Sequence, residues 1–464
     1  MSHMTNVADV VICGAGIAGI ATAHALAERG VSRIVVVDDL SPLTLTSDKS
    51  SEAYRNWWPG PNDAMVRFMN RSIDLLESWA DRSTDRFLLN RRGYVYATRD
   101  AATAKRYLSD ARVAESQGAG DVRIYRSPAE ATAYQRSAHT GYRDHPTGAD
   151  LFLDAIAIRE HFPFLSHDVL AVLHARRCGW MSGQQLGMYL WDEARARGVT
   201  LYAGRVTDVE LTAGRVSIVH VAGADGANHQ LATPVFVNCA GPYAKQVGEL
   251  LDISLPLFSE LHLKVAVEDT RGVIDRGTGL VILDDAQQLT WSDDEREDLA
   301  SSDATRVLTE LMPAGVHLRP EGYSHNQMLL MLWDYHSSHR YDAPIYPLPE
   351  DPYYAEVVMR GLVQLAPGLA AYLDRLPPVY IDGGYYTKTE ENRPLIGPLP
   401  VEGAFICAAL SGYGLMAAPA AAELLAAHVT GTSLPSYAPS FLLGRYADPA
   451  YQALLANWGT TGQL

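Results

Sequence analysis

Gly14, Gly16 and Gly19 lie between an apolar run, Val10-Val-Ile-Cys13, and a stretch of helical character, Ile20 to Arg29, closed by Gly30. Glycines at this spacing let a backbone meet an anion. Gly14 permits a tight turn, Gly16 lets the chain approach a pyrophosphate, and Gly19 lets the helix pack closely on the strand. The free N–H groups at the helix N-terminus add partial positive charge. A second apolar run, Arg33-Ile-Val-Val-Val-Asp38, ends in an acid. That acid falls about twenty residues beyond the last glycine, where a carboxylate can accept both hydroxyls of an adenosine ribose. The chemistry is the binding of a dinucleotide.

Two further segments carry groups of the same kind. Ser41 to Pro61 reads as an extended polar segment. Its hydroxyls, among them Ser47 and Ser50, and Lys49 can continue the phosphate cradle. Arg55, Trp57 and Trp58 can reach the reactive end of a cofactor, although a solvated loop with a surface aromatic pair would also account for them. Near the far end of the chain, Ala404 to Ala409 reads as a buried strand. It is followed by a glycine turn, Ser411-Gly-Tyr-Gly414, and a small-residue helix, Leu415 to Val429, closed by Gly431.

The elements that must position these groups alternate in style. Strand, turn, helix and strand open the chain. Met65 to Ala80 has helical periodicity, Phe87 to Thr98 reads as a hairpin around Arg91-Arg92-Gly93, and Ala101 to Ala114 and Ala155 to Phe162 read as short helices. Gln184 to Arg197 is a helix running into the strand Val199 to Ala203. Arg205 to Ile218 is a two-stranded meander turning at Ala213-Gly214. Pro234 to Gly241 is an apolar strand with a small-residue end, as where a parallel strand meets a ligand. Leu255 to Tyr380 lacks strand–helix alternation and gives longer strands, such as His262 to Val267, Val316 to Arg319 and Gln327 to Asp334. Asn392 to Pro400 reads as a loop. The expected fold is α/β (α+β overall), with a sequence-discontinuous Rossmann-like domain from 5–60, 165–250 and 380–464. A second, mostly antiparallel β domain carrying helices is expected from 61–164 and 251–379.

The discontinuity bears on the cofactor. A nicotinamide dehydrogenase usually carries one contiguous cofactor half. A second glycine-rich strand–turn–helix far along the chain suits a longer ligand, FAD, whose isoalloxazine needs its own backbone contacts. A helix N-terminus behind Ser411–Gly414 can stabilise the negative charge that grows on the flavin as it is reduced.

Composition sets outer limits. The chain has 464 residues, 47% hydrophobic and 20% charged, as in an ordinary globular protein. A net charge of −16 argues against nucleic acid and anionic membranes as partners. Cys13, Cys178, Cys239 and Cys407 are widely spaced without a CxxC pair, which reads as buried reduced thiols and a cytoplasmic location. No segment reads as a membrane span or a signal peptide, and Met1-Ser-His-Met4 reads as a cloning remnant.

The chain resembles the D-amino-acid oxidase superfamily of FAD-dependent amine and amino-acid oxidoreductases, in the style of glycine oxidase, sarcosine oxidase and dimethylglycine dehydrogenase. The resemblance rests on Gly14-Ala-Gly-Ile-Ala-Gly19, Gly179-Trp-Met with its following helix, Asn238-Cys-Ala-Gly-Pro242, and Thr389-Glu-Glu-Asn-Arg-Pro-Leu-Ile-Gly397. Its most specific piece is Ala408-Ala-Leu-Ser-Gly-Tyr-Gly-Leu-Met-Ala-Ala-Pro419. It implies oxidation of a C–N bond by hydride transfer from the α-carbon to flavin N5, giving an imine. Oxygen or another acceptor would then take the electrons. Gly384 stands where sarcosine oxidases carry a flavin-linked cysteine, no tethering histidine matches near Trp57-Trp58, and Tyr413 replaces the usual flavin-edge histidine. Non-covalent FAD is therefore expected. The expected cofactor contacts also include Ile17, Ala18, Asp39, Asn56, Val206, Ala240, Gly241, Arg393, Gly412 and Leu415.

A substrate carboxylate would call for a guanidinium. Arg55 is the first choice, Arg319 reads equally as a surface strand residue, and Arg393 can instead fix its own loop. His262 and Lys264 share one strand face; the lysine can promote reaction with oxygen and the histidine can accept the amine proton, unless both are simply solvated. Tyr385 or Tyr386 can hydrogen-bond substrate or serve as aromatic packing. Gly223-Ala-Asp-Gly-Ala-Asn228 imitates a ribose-binding stretch of NAD(P)H-using flavin monooxygenases, but a hairpin turn explains it more simply. A flavoprotein without catalytic activity is the remaining alternative. His336 and His339 lack the helix and further ligand that a metal would need, and Asp293 to Asp298 is a solvated acidic face.

Overall fold

The computed structural model describes residues 6–322, 327–335, 339–456 and 458; Met1–Met4 and His336 lie outside them. Two nine-stranded sheets organise the chain. In the first, Thr200–Thr212, Ile34–Asp38, Val10–Cys13, Phe236–Asn238 and Ala404–Ala408 run parallel in that spatial order. The antiparallel Leu395–Pro398 closes one side. On the other side Thr200–Thr212, Arg215–Gly223 and Asn228–Ala232 form a meander. Gly223 to Ala227 makes the hairpin turn expected of that stretch, its ends joined by the Gly223 N–H donating to the Ala227 carbonyl.

Helix Ile17–Glu28 is buried on nearly every side because its sequence, IAGIATAHALAE, is small or aliphatic all round. Helix Gly414–Thr430, GLMAAPAAAELLAAHVT, is built the same way. Small side chains let the two helices lie against each other and against the sheet. Pro419 stands inside the second helix. There the Ser72 hydroxyl donates to the Met416 carbonyl and accepts from the Ala420 N–H, 3.3 Å away, bridging the two backbone groups next to the bond that the proline removes.

The second sheet runs Tyr380–Lys388, Phe258–Glu268, Met328–Leu332, Val316–Glu321, Leu280–Leu283, Tyr94–Thr98, Ala171–Ala175, Ala149–Phe152, Val122–Tyr125. It is antiparallel except where Leu280–Leu283 meets Tyr94–Thr98 and Val122–Tyr125 meets Ala149–Phe152. Its alternation is clean. Tyr94 and Tyr96 face one core, shared with the helices beside the first sheet, while Val95 and Ala97 face another, under helix Tyr354–Leu365. Strands Ala171–Ala175 and Tyr380–Lys388, which sequence reasoning grouped with the first sheet, are hydrogen-bonded into the second. Two local expectations also change. Residues 87–93 form no hairpin partner for Tyr94–Thr98, which pairs with Ala171–Ala175 and Leu280–Leu283 instead. Residues 392–400 contain the strand Leu395–Pro398, recruited by the edge of Ala404–Ala408.

The opening glycines divide their labour sharply. Gly14 has φ of +109°, and a Cβ there would fall 2.4 Å from the Cys239 carbonyl oxygen. At Gly19 a Cβ would fall 1.9 Å from the Gly14 oxygen, whereas at Gly16 it would meet only the Ser47 hydroxyl at 3.2 Å. Gly19→Ala is therefore expected to force helix from strand and cost about 3 kcal/mol or more, seen as a lowered denaturant midpoint. Gly16→Ala should leave that midpoint within about 1 kcal/mol of the unchanged protein.

Candidate active site

The carboxyl ends of four parallel strands meet one open cleft. Gly14, Gly16, Ile17 and Ala18 line it after the first strand, and Asp38 ends the second. Ala240 and Gly241 follow the third; Ala409 to Gly412, then Gly414 and Leu415, follow the fourth. Ser47, Ser50 and Tyr385 close the remaining side, with Tyr386 and Thr387. Neither helix that opens on this cleft is capped by the side chain of its own N-cap residue, Gly16 or Tyr413. In the first, the Ile17 N–H donates to the Ser47 hydroxyl at 2.9 Å. Uncapped N–H groups at both ends of an elongated cleft suit a ligand with a phosphate region and a distant electron-rich edge.

Asp38 holds the turn as well as facing the cleft. Its carboxylate accepts from the Ala15 N–H at 2.6 Å and the Leu40 N–H at 2.9 Å. Burial nevertheless pushes its carboxyl above the ordinary value, against those donors. Two thiols, Cys239 and Cys407, also line the cleft. Burial drives the Cys239 thiol well up, so it presents no thiolate. All four cysteines are buried and free.

Several expected cofactor contacts stand elsewhere. Asp39 pairs with Arg205 at 2.5 Å, and Lys49 with Asp382 at 2.9 Å and Asp48 at 3.1 Å. Asn56 is buried and donates to Asn70 and to the Ala119 carbonyl, and Val206 packs in a core beside the first sheet. None of these four side chains lines the cleft. Each has a nearer partner in the folded chain than a ligand would be. Gly19 lies behind the Gly14 backbone rather than facing the cleft. Tyr413 sits in the glycine turn with its ring turned away, edge-on to Trp58 at 5.0 Å, its hydroxyl donating to the Asn392 carbonyl.

Arg55, Trp57 and Arg393 line a second cavity of about 410 Å³, with Trp58, Asn62, Tyr96, Tyr107 and Trp458. Trp57 and Trp58 are buried, not a surface pair. Arg55 donates to the Tyr96 hydroxyl at 2.8 Å and lies 4.2 Å from the Trp58 ring centroid, a desolvated cation–π contact worth about 2 kcal/mol. The wall between the two cavities is thin. It consists of Trp58 against Tyr413, and of Asn392, which takes hydrogen bonds from both Tyr413 and Ser411.

The remaining candidates are buried or half-buried rather than solvated. Arg319 is 1% exposed. It donates to the Ser51 carbonyl at 2.9 Å, pairs with Glu321 and Glu52, and lies over Trp180, so it fastens the 46–52 segment to the second sheet. Lys264 reaches the carbonyls of Asp48 and Ser50 at 3.2 and 3.3 Å. Burial draws its ammonium below the ordinary lysine value, against Glu52, Asp382 and Asp48. His262 stacks on Tyr386 at 4.0 Å, with Asp334 2.7 Å and Glu260 3.4 Å from its ring nitrogens. Burial disfavours its charge, but the two carboxylates outweigh that and raise it above the ordinary value. The Tyr385 hydroxyl donates to the Ile345 carbonyl, 3.1 Å away.

Sequence reasoning missed most of the second cavity. Asn62, Tyr96, Tyr107 and Trp458 come from a loop, a strand, a helix and the chain's end, and no local spacing links them. It also missed Thr387, whose buried hydroxyl lines the first cleft without a partner among the described residues. Thr387 follows the Tyr385-Tyr386 pair already singled out, and strand alternation was the available signal. Among the described residues no cluster of metal-ligating side chains occurs, and no helix is long and apolar enough to cross a membrane.

The loop that carries Asn392 and Arg393 is anchored by a buried ion pair. Glu391 accepts from Arg445 at 2.7 Å and from the hydroxyls of Tyr446 and Tyr451. Both charged side chains are at most 2% exposed. Burial opposes the Glu391 charge, but Arg445 and these hydrogen bonds hold its carboxyl below the ordinary value.

The family model described as FAD dependent oxidoreductase, DAO, matches residues 9–428. No curated protein sequence matches the chain. The fold is similar to L-proline dehydrogenase from P. horikoshii at 18% identity and TM-score 0.71, covering 96% of this chain and 99% of that one. It is similar to glycine oxidase from Geobacillus kaustophilus at 16% identity and TM-score 0.69, covering 95% and 99%. It is also similar to iminodiacetate oxidase from Chelativorans sp. BNC1 at 18% identity and TM-score 0.66, covering 93% and 98%.

Glu391→Gln leaves the Arg445 charge buried without a counter-charge and should cost about 3 kcal/mol. A carboxyl held low when folded stabilises the protein above its unfolded value of about 4.3. That stability is lost as pH falls through the folded value. Thermal unfolding of the two proteins should differ at neutral pH and converge on acidification.

Proposed function

The chain belongs to the DAO family of FAD dependent oxidoreductases, and on that premise we propose that it oxidises a C–N bond of an amine or amino acid to an imine. The observation that carries this reading is the pair of cavities divided by Trp58, Tyr413 and Asn392. One has the glycines, acid and uncapped helix ends that a dinucleotide requires. The other has buried aromatic walls and guanidinium groups suited to a small organic acid or amine. When bound, FAD supplies a two-electron acceptor for the hydride that leaves the carbon beside nitrogen.

The chain's own residues do the rest. The first-turn N–H groups that follow Ile17 would hold phosphate, Asp38 would hold ribose hydroxyls, and the N-terminus of Gly414–Thr430 would face the electron-accepting end. Trp57, Trp58 and Tyr413 exclude water from the shared wall. Lys264, fixed by two carbonyls of the 46–52 segment, keeps a positive charge beside the cleft that favours reaction with oxygen or another acceptor. His262, held between two carboxylates and stacked on Tyr386, positions that tyrosine rather than taking the amine proton itself. Arg319 acts likewise, by fixing the segment that carries Ser47 and Ser50.

FAD is held without a covalent bond. Gly384 has no side chain to offer, and a Cβ there would already meet Thr46 Cα and Lys49 Cβ at 3.2 Å. The monooxygenase reading rested on Gly223 to Asn228, which forms an exposed hairpin turn that lines neither cavity. The protein acts in the cytoplasm on a small molecule.

Anaerobic titration of the flavin-loaded protein with a panel of primary and secondary amines and amino acids should bleach the flavin absorbance. Bleaching by NADH or NADPH alone would overturn the proposal in favour of a monooxygenase, and no bleaching by any of them in favour of a non-catalytic flavoprotein. Acid precipitation should leave the yellow colour in the supernatant. Asp38→Ala should weaken FAD binding about 10- to 100-fold, measured by flavin fluorescence on reconstitution.

A further inference from the structure

Thr387 is 7% exposed, and its hydroxyl is buried in the first cleft with no hydrogen-bond partner among the described residues. A hydroxyl in that state forfeits its hydration and gains nothing in return. Other hydroxyls of the cleft are engaged. Thr46 donates to the Tyr385 carbonyl at 2.9 Å, and Ser47 accepts from the Ile17 N–H at 2.9 Å. Ser50 accepts from the Glu52 N–H at 3.0 Å, and Ser411 donates to the Asn392 side chain. Two residues beyond Thr387, Thr389 is satisfied in both senses, donating to the Arg393 carbonyl at 2.8 Å and accepting from its N–H at 2.9 Å.

The place of Thr387 along the cleft decides which part of a ligand it meets. Strand Tyr380–Lys388 lies against both the turn at 46–48 and the turn Ser411–Tyr413. At Gly384 and Tyr385 it touches Thr46, beside the phosphate end marked by Ser47 and Ile17. Thr387 stands two residues further on, about 7 Å at strand spacing. The chain then continues to Asn392, which accepts from Ser411 and Tyr413 of the second glycine turn. Thr387 thus belongs to the end that faces helix Gly414–Thr430. Lys388, the next residue, points to the other side of the strand, where it meets Glu260 at 2.8 Å.

Among the described residues Asp38 is the one charged side chain that lines this cleft, and it holds the first glycine turn through the Ala15 N–H. A flavin ring gains negative charge on reduction, at the opposite end. Neutral donors must meet that charge there: the first-turn N–H groups of Gly414–Thr430 and the Thr387 hydroxyl. We infer that Thr387 is a cofactor-contact residue whose hydroxyl donates to the polar edge of the isoalloxazine and holds the reduced ring more tightly than the oxidised one. A hydrogen bond to a charged acceptor is about twice as strong as one to a neutral acceptor, so the same hydroxyl contributes more after reduction. This rests on the placement of FAD along the cleft, not on the oxidation of a C–N bond.

Thr387→Val removes the hydroxyl and keeps the shape of the side chain. Reconstitution followed by flavin fluorescence should show oxidised FAD bound about fivefold more weakly. Reduction in equilibrium with a reference dye should show the reduced form losing about thirtyfold. That difference of about sixfold lowers the two-electron midpoint potential by about 20 mV, at about 30 mV per tenfold. ADP, which lacks the ring, should bind the FAD-free variant as it binds the FAD-free unchanged protein. Thr387→Ser keeps the hydroxyl and should stay close to the unchanged potential, whereas Thr387→Ala should fall with Thr387→Val.

Unchanged potential and FAD affinity in Thr387→Val would overturn the inference, with water satisfying the hydroxyl. Equal losses for oxidised and reduced FAD, or weakened ADP, would overturn the assignment to the ring edge. A potential that falls as far in Thr387→Ser as in Thr387→Val would also overturn it, in favour of packing. If Thr387→Val does not fold, the serine and alanine variants, which differ by the hydroxyl alone, decide the matter. If the potential falls as expected while no amine bleaches the flavin, the oxidase reading fails and the Thr387 contact stands. If amines bleach the flavin and the potential does not move, the Thr387 contact alone fails.

Discussion

The contact between helices Ile17–Glu28 and Gly414–Thr430 governs the rest of the structure. Both are small-residue helices with almost no polar face, so neither can rest on a surface. Burying them against each other and the first sheet brings together segments from opposite ends of the chain. The same packing directs both N-termini, neither capped by its own N-cap side chain, at one cleft. Orphan N–H groups are an expense to a ligand-free fold and an asset to a fold that binds phosphate and an electron-rich ring edge. A chain that buried these helices apart would keep its hydrophobic stabilisation and lose the cofactor site.

The second sheet is attached by ionic fasteners rather than by shared apolar surface alone. Arg319 reaches from strand Val316–Glu321 to the Ser51 carbonyl and Glu52, and Lys264 from strand Phe258–Glu268 to the carbonyls of Asp48 and Ser50. Both ends of these contacts hold the segment that carries Ser47 and Ser50 into the cleft. Breaking such a buried contact leaves a charge without compensation, so the segment is fixed more firmly than its irregular backbone suggests. Candidate catalytic side chains and structural fasteners are here the same residues, and only the atoms left without partners separate the roles.

Local pattern made the cofactor half legible. The glycine turn, the strand ending at Asp38, the small-residue strand end at Ala240-Gly241 and the second turn at Ser411–Gly414 all rest on local spacing, and residues of each line the cleft. Asp39, Lys49, Asn56 and Val206 were misplaced because adjacency in sequence says nothing of partners distant in sequence such as Arg205 and Asp382. The strands Ala171–Ala175 and Tyr380–Lys388 border one half of the chain in sequence and pair with the other in space. The second cavity was illegible for a deeper reason. Its lining is drawn from eight separate stretches, and an arginine reads alike in sequence whether its guanidinium has several protein acceptors, like Arg319, or few among the described residues, like Arg393.

That contrast between the two arginines bears on how substrate is recognised. Arg319 has a carbonyl, two carboxylates and an indole face, so an incoming carboxylate would have to displace protein partners and leave Glu321 and Glu52 short of a cation. Arg393 has donors to spare, and its loop is held by the Glu391–Arg445 pair rather than by its own guanidinium. Stability and recognition are thus carried by different charges within a few residues of one another. Asn62 and Trp458 already orient that guanidinium. Asn392, beside Arg393, accepts from both Ser411 and Tyr413, which ties the Arg393 loop to the second glycine turn.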